Sequence, residues 1–216
     1  MIVTIDGPAG AGKSSVAKML AKRLGFRFLD TGAMYRAIAW AVRRDRLPTD
    51  DVERLEGFAR GLQIKVGDGR VLLNGEDITN KIRNSEITAL VKPIADHPGI
   101  RRHLIDLQRQ IADGISVVTE GRDQGTIAFP HADCKIFLTA SPDERARRRH
   151  ADLLGKGEEI DLREVLQQQT ERDERDSARE FGRLEPAVDA VSICTDGLSI
   201  EQVVNRLERL VRERMA

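Results

Sequence analysis

The segment Gly7-Pro8-Ala9-Gly10-Ala11-Gly12-Lys13-Ser14 fits G-x-x-x-x-G-K-S/T at every fixed position. An apolar run, Ile2-Val3-Thr4-Ile5, precedes it. A helical pattern follows, with Val16, Leu20 and Leu24 on one face beside Ala17 and Ala21. Strand, glycine-rich loop and helix in that order form a cradle for phosphate groups. The glycines let backbone N–H groups turn inward, and the helix start adds its positive end. Lys13 supplies a point charge for the outer phosphates, and the Ser14 hydroxyl can reach a Mg²⁺ ion. The cradle alone specifies a nucleoside triphosphate and leaves the chemistry open.

The rest of the chain reads as an α/β protein. Residues 1–6 and 26–29 are short apolar runs suited to strands. Residues 13–24 and 33–44 are helical, with Gly25 closing the first helix and Asp30-Thr31-Gly32 capping the second. Residues 51–61 form a further helix candidate. Residues 62–66 and 70–73 flank Gly67-Asp68-Gly69 and read as a hairpin. About 62–82 is therefore expected to be a small β-rich insertion. Helices are expected over 84–92 and 98–112, with Pro98 in the first helical position. Residues 115–120, 134–138 and 191–195 complete the set of buried strand candidates. Helices over 142–154, 162–179 and 200–214 follow the last strands, the first two separated by Gly155-Lys156-Gly157-Glu158-Glu159. Strands alternating with helices predict a parallel sheet.

Composition removes several alternatives. Lys+Arg and Asp+Glu both number 35 in 216 residues, so net charge gives no attraction for nucleic acid or a membrane surface. Six Phe, one Trp and one Tyr leave few stacking platforms for single strands. The four histidines have no metal-ligand spacing. Cys134 and Cys194 each sit in an apolar run and are expected to be buried. With no basic leader or long apolar run, the expectation is a cytoplasmic protein.

Ligands of open parallel sheets bind beyond the C-terminal strand ends. There the sequence offers Arg36 after the second strand and Arg122 after the third, both suited to a phosphate. Arg145, Arg148 and Arg149 share one helix face, and Arg172, Arg175, Asp176 and Arg179 share another. Like charges so spaced repel unless an anion lies among them, yet Glu144–Arg148 and Glu171–Arg175 also make good i,i+4 pairs. The pattern leaves both readings open.

These segments together resemble the bacterial cytidylate kinases of the nucleoside monophosphate kinase superfamily. The resemblance runs over essentially the whole chain. It rests on Ile5–Ser14, Leu29-Asp30-Thr31-Gly32-Ala33-Met34-Tyr35-Arg36, Glu120-Gly121-Arg122-Asp123-Gln124-Gly125-Thr126, Lys135-Ile136-Phe137-Leu138 and Arg172-Asp173-Glu174-Arg175-Asp176-Ser177. It implies an α/β, three-layer P-loop NTPase fold with a central parallel five-stranded sheet. The core would span 1–61 and 83–216, with a monophosphate-binding β-rich insertion near 62–82 and a short helical lid near 152–161. The implied reaction moves the ATP γ-phosphoryl group to CMP or dCMP, with Mg²⁺, in a monomer.

Site roles follow from the same resemblance. ATP would lie on Gly7, Pro8, Ala9, Gly10, Ala11, Gly12, Lys13, Ser14 and Ser15, with Ser14 the metal contact. Arg36, Arg122 and Arg179 would hold the acceptor phosphate, beside Thr31 and Tyr35. Arg101 and Asp123 would read the cytosine, and Arg172 and Asp176 the ribose. Lys13, Arg122, Arg148 and Arg172 would serve the transfer, and the Arg145/Arg148/Arg149 face would close on the phosphates. No general base is needed, since the acceptor phosphate is already an anion. Two positions depart from the family pattern. Glu120 stands for the usual Asp, and Lys92 stands for a base-reading Ser. Lysine only donates hydrogen bonds, so it could meet a carbonyl such as uracil O4 but not an amino group. The remaining readings are another acceptor (UMP, AMP or a small metabolite such as shikimate) and an ATP-gated switch without an acceptor.

Overall fold

The computed structural model describes residues 1–67, 69–155 and 157–215. Five strands form one sheet in the order β2-β6-β1-β7-β8. They are β1 (Ile2–Asp6), β2 (Arg27–Asp30), β6 (Val117–Glu120), β7 (Cys134–Thr139) and β8 (Val191–Cys194). β1 runs parallel to β6 and to β7, and β7 runs parallel to β8. This is the central parallel sheet of the sequence reading. Val3, Ile5, Val117, Val118, Ile136 and Leu138 are fully or almost fully buried. Strands covered on both faces need such near-continuous apolar runs.

The chain divides into two compact units, Met1–Phe26 with Ser116–Ala216, and Arg27–Ile115. The first carries the helices α1 (Lys13–Leu24), α6 (Pro142–Leu154), α7 (Leu162–Ala178) and α8 (Ile200–Glu213). The second carries α2 (Thr31–Arg44), α3 (Val52–Arg60), α4 (Ser85–Ala95) and α5 (Pro98–Ala112). It also holds an antiparallel sheet of β3 (Ile64–Gly67), β4 (Arg70–Leu73) and β5 (Glu76–Asp77). The β-rich segment shares one apolar core with these helices. Ile64, Val66, Val71, Leu73, Ile78 and Ile82 pack with Met34, Ile38, Leu55, Ile87, Ile94 and Leu104. Asp68 of the expected hairpin turn and Lys156 of the expected lid loop lie outside the described residues.

Two local readings need correction. The helix expected to stop at Lys92 runs through Pro93 to Ala95. Proline forfeits its own N–H and crowds the carbonyl one turn back, but it falls in the last turn of the helix, where little of the ladder remains to be lost. Buried Ile87 and Ile94 hold the same face on either side of it, and Asp96 N still donates to Lys92 O at 3.1 Å. Second, Cys194 is exposed, whereas Cys134 is buried. β8 ends the sheet order, and along it Ile193 turns inward while Cys194 turns out. Beyond Asp123, where the sequence reading assigned no element, a π-helical turn covers Gln124–Ala128. Its wide bonds run from Ala128 N to Asp123 O and from Phe129 N to Gln124 O.

Candidate active site

In the first unit the site starts at the end of β1. Gly7 follows immediately, and a Cβ there would collide with the Leu138 carbonyl of β7. Only glycine lets the loop leave the sheet so close to its neighbour. The loop then delivers Lys13 and Ser14 to the start of α1. Lys13 is buried, and its Nζ donates to Pro8 O at 2.6 Å, so the ammonium is folded back into its own loop. Burial pushes its pKa down to about 7; Arg122 adds to the effect, and Glu120 opposes it. The Ser14 hydroxyl donates to Glu120 Oε1 at 3.0 Å. The buried Glu120 carboxylate is thus in direct contact with the end of the loop.

Asp6, which the sequence reading did not single out, anchors the π-turn. Its Oδ1 accepts from Gln124 N at 2.9 Å and its Oδ2 from Gly125 N at 2.7 Å. Burial raises its pKa to about 7 against the lowering effect of those two amides. The turn follows Arg122 and Asp123 directly, so Asp6 helps fix where both residues start. Asp123 is buried.

Arg122 meets the α7 face predicted from sequence. Arg122 Nε donates to Asp176 Oδ2 at 3.0 Å, and Arg179 Nη2 to Asp176 Oδ1 at 2.6 Å. Arg172 Nε stands 3.9 Å from Asp176 Oδ2. Burial alone would raise the Asp176 pKa, but Arg122, Arg179 and Arg172 outweigh it and hold the carboxyl below its usual range. The structure therefore brings Arg122, Arg172 and Arg179 together around the buried carboxylate of Asp176.

The α6 arginines are engaged differently. Arg145 is buried, donating to Ala140 O and Ala9 O and pairing with Asp173. Asp173 Oδ1 in turn accepts from Ala9 N at 3.2 Å. Arg145 and Asp173 thus grip the phosphate loop at Ala9 from two helices. Arg148 makes the i,i+4 pair with Glu144 at 2.9 Å and donates to Thr195 Oγ1 at 2.9 Å and Thr195 O at 2.7 Å. Gly157 N donates to Leu154 O, Glu158 N to Leu153 O, and the His150 ring lies 2.9 Å from Ile160 O.

In the second unit, β2 ends at Asp30, whose side chain caps α2 by accepting from Ala33 N at 2.9 Å. The helix starts at Thr31, two residues earlier than the sequence suggested. Arg36 Nη2 reaches Asp30 at 3.2 Å, and so does Arg83 Nη2 at 2.7 Å. Arg83 was missed; nothing in its local pattern separates it from a surface arginine. Tyr35 lies with Arg101, whose guanidinium carbon stands 5.8 Å from the ring centroid. Arg101 Nη1 donates to Ala95 O at 2.9 Å, and Arg101 N to His97 O at 3.0 Å. His97 caps α5, its Nδ1 accepting from Gly99 N and Ile100 N. Lys92 is exposed on α4.

A glycine-rich loop on a parallel sheet, a buried lysine at its end and a nearby arginine hub define a P-loop phosphotransferase. A search of solved structures agrees on the fold. Shikimate kinase from Bacteroides thetaiotaomicron superposes with a TM-score of 0.50 at 17% identity, covering 98% of each chain. The cytidylate kinase family model matches residues 3–213, and the chain belongs to that family. A cytidylate kinase of Rhodopirellula baltica is 51% identical over 99% of this chain and 93% of its own length. One of Geobacter sulfurreducens is 47% identical over 99% and 94% respectively.

Proposed function

We propose that the chain transfers the γ-phosphoryl group of ATP to the 5′-phosphate of CMP or dCMP, giving CDP or dCDP. The observation that carries this reading is the joining of a complete phosphate loop with the Arg122–Asp176–Arg179 hub, in a chain matched end to end by cytidylate kinases.

Positioning and charge neutralisation carry such a transfer. ATP lies on residues 7–15, and Lys13 leaves Pro8 O for the outer phosphates. A polyphosphate restores full protonation to a lysine that burial has weakened. Arg36, Arg122 and Arg179 hold the acceptor phosphate beside Thr31 and Tyr35. Arg101 and Asp123 read the base, while Arg172 and Asp176 meet the ribose. A carboxylate accepts from a diol, so Asp176 can serve the ribose while it remains the counter-ion of its arginines. Arg148 and Arg172 stabilise the charge of the moving group. The Ser14 hydroxyl and the buried Glu120 carboxylate are the hard oxygen donors that Mg²⁺ prefers, and they would hold it. When bound, the ion offsets phosphate charge. The segment near 152–161 acts as a short lid that excludes water, the β-rich segment near 62–82 enlarges the monophosphate side, and the enzyme works as a cytoplasmic monomer.

The test is ADP formation from ATP with and without CMP, with the γ-phosphate labelled. Label in CDP and little in inorganic phosphate is expected. ATP binding with no CMP-stimulated ADP would instead identify a nucleotide-gated switch.

A further inference from the structure

Within the Arg27–Ile115 unit, two arginines from different directions end on one carboxylate. Arg36 sits in the second turn of α2. Helical side chains lean toward the N-terminus, so its guanidinium folds back over the first turn. Gly32 makes room for it: a Cβ there would lie 3.1 Å from Arg36 Nη1 and 3.4 Å from Asp30 Oδ1. Arg83 arrives from the turn before α4. Its backbone is held on one side by fully buried Ile82. On the other side stands Asn84, which caps α4 by accepting from Ile87 N at 2.8 Å. The Arg83 side chain nevertheless stays 54% exposed, while the Asp30 it touches is 8% exposed.

The charge is unbalanced. Arg36 Nη2 lies 3.2 and 3.4 Å from the two Asp30 oxygens, and Arg83 Nη2 lies 2.7 Å from Oδ2. The positive end of α2 is turned to the same carboxylate through Ala33 N. Two guanidinium groups and a helix start therefore share one negative charge. By contrast, Arg43 with Glu86 and Lys81 with Glu76 each set one cation against one carboxylate. Arg36 also keeps a buried Nε–H without a partner. A cluster with spare positive charge, a spare donor and an open side is built to receive one more anion.

We propose that Arg83 is a further ligand of the acceptor's phosphate, acting beside Arg36, with Asp30 as their counter-ion at rest. This deepens the function proposed above and rests on it for the identity of the acceptor. A fixed backbone presenting an exposed guanidinium suits a group that must swing from a carboxylate to an arriving phosphate. It also predicts what Arg83 does not do: it has no part in reading the base.

Calorimetric titration of the full chain with CMP and with cytidine, which lacks the phosphate, tests this directly. Arg83→Ala should weaken CMP binding at least ~10-fold, the scale of one lost charge-assisted contact, and leave cytidine binding within ~2-fold. Arg83→Lys keeps the charge without the fork and should fall between. Equal weakening of CMP and cytidine would reduce Arg83 to a structural ion pair, and no change in either would remove it from the site. Should Arg83→Ala misfold by circular dichroism, Arg83→Lys carries the test. If the wild type prefers another monophosphate, the function proposed above fails. The monophosphate-to-nucleoside affinity ratio for that base then still decides the role of Arg83.

Discussion

Each compact unit gathers arginines on one carboxylate, and the two gatherings are unlike. Around Asp176, both Arg122 and Arg179 are largely covered, and the carboxylate is almost fully buried. Around Asp30, Arg36 is partly covered and Arg83 stands mostly in water. A buried cluster costs desolvation and returns a fixed geometry. An open cluster costs little and can exchange partners. The Asp176 hub is thus suited to holding charge in one place during transfer, and the Asp30 pair to admitting and releasing an acceptor.

Removing the two carboxylates is the sharpest way to break that comparison. Asp176→Ala leaves buried guanidinium groups facing one another and should cost about 3–5 kcal/mol in chemical unfolding. Asp30→Asn keeps a residue able to cap α2 and should cost about 1 kcal/mol or less. Equal losses would contradict the distinction between a fixed and an exchangeable cluster.

Next in size is the donor side. Lys13→Ala should lower kcat at least ~100-fold in a chain with an unchanged circular dichroism spectrum, because one preorganised donor to the developing charge is lost. Near-normal turnover would remove Lys13 from the transfer step.

The depressed pKa of Lys13 gives a pH signature. The unfolded lysine titrates near its ordinary value of 10.5 and the folded one near 7. Between those values the unfolded chain binds more protons, so this group makes stability rise with pH across the window. In Lys13→Met that rise should flatten, as read by denaturant titrations at pH 7.5 and 9. For the same reason, ATP binding at pH 8 should take up close to one proton, visible as a buffer-dependent binding heat. A heat independent of the buffer would show that Lys13 is already charged. Asp6 works the other way. Its pKa rises from 3.8 to about 7, so the folded chain binds more protons there and stability falls as pH rises through that range.

The smallest expected effect concerns the base. Lys92→Ser should change the ratio of kcat/KM for CMP to that for UMP by a few-fold, since it replaces a donor-only side chain with a hydroxyl that also accepts. An unchanged ratio would leave base choice to Arg101 and Asp123.

What the sequence made legible follows from how each part is encoded. The phosphate loop is contiguous, and every residue in it answers to one local geometry, so a motif finds it. The alternation of apolar runs and helical periods likewise carried the parallel sheet. The α7 face was visible as spacing, but only the fold brings Arg122 to Asp176, 54 residues away along the chain. Arg83 and Asp30 are 53 residues apart, and no local pattern links them. Asp6 was hidden for another reason. A carboxylate ending a buried strand looks like the start of the loop, and its partners are backbone amides of a π-turn that carries no sequence signature. Arg145 and Arg148 looked like a phosphate face; their bonds to Ala9 O and Thr195 came only with the fold.

One measurement bears most directly on the central claim: kcat/KM for ADP release with CMP, dCMP, UMP and AMP as acceptors at saturating ATP and Mg²⁺. The account predicts that CMP and dCMP exceed AMP by at least ~100-fold, since an acceptor that leaves buried base-reading groups unpaired is strongly rejected. Comparable rates with AMP, or ADP release that ignores the acceptor, would contradict it.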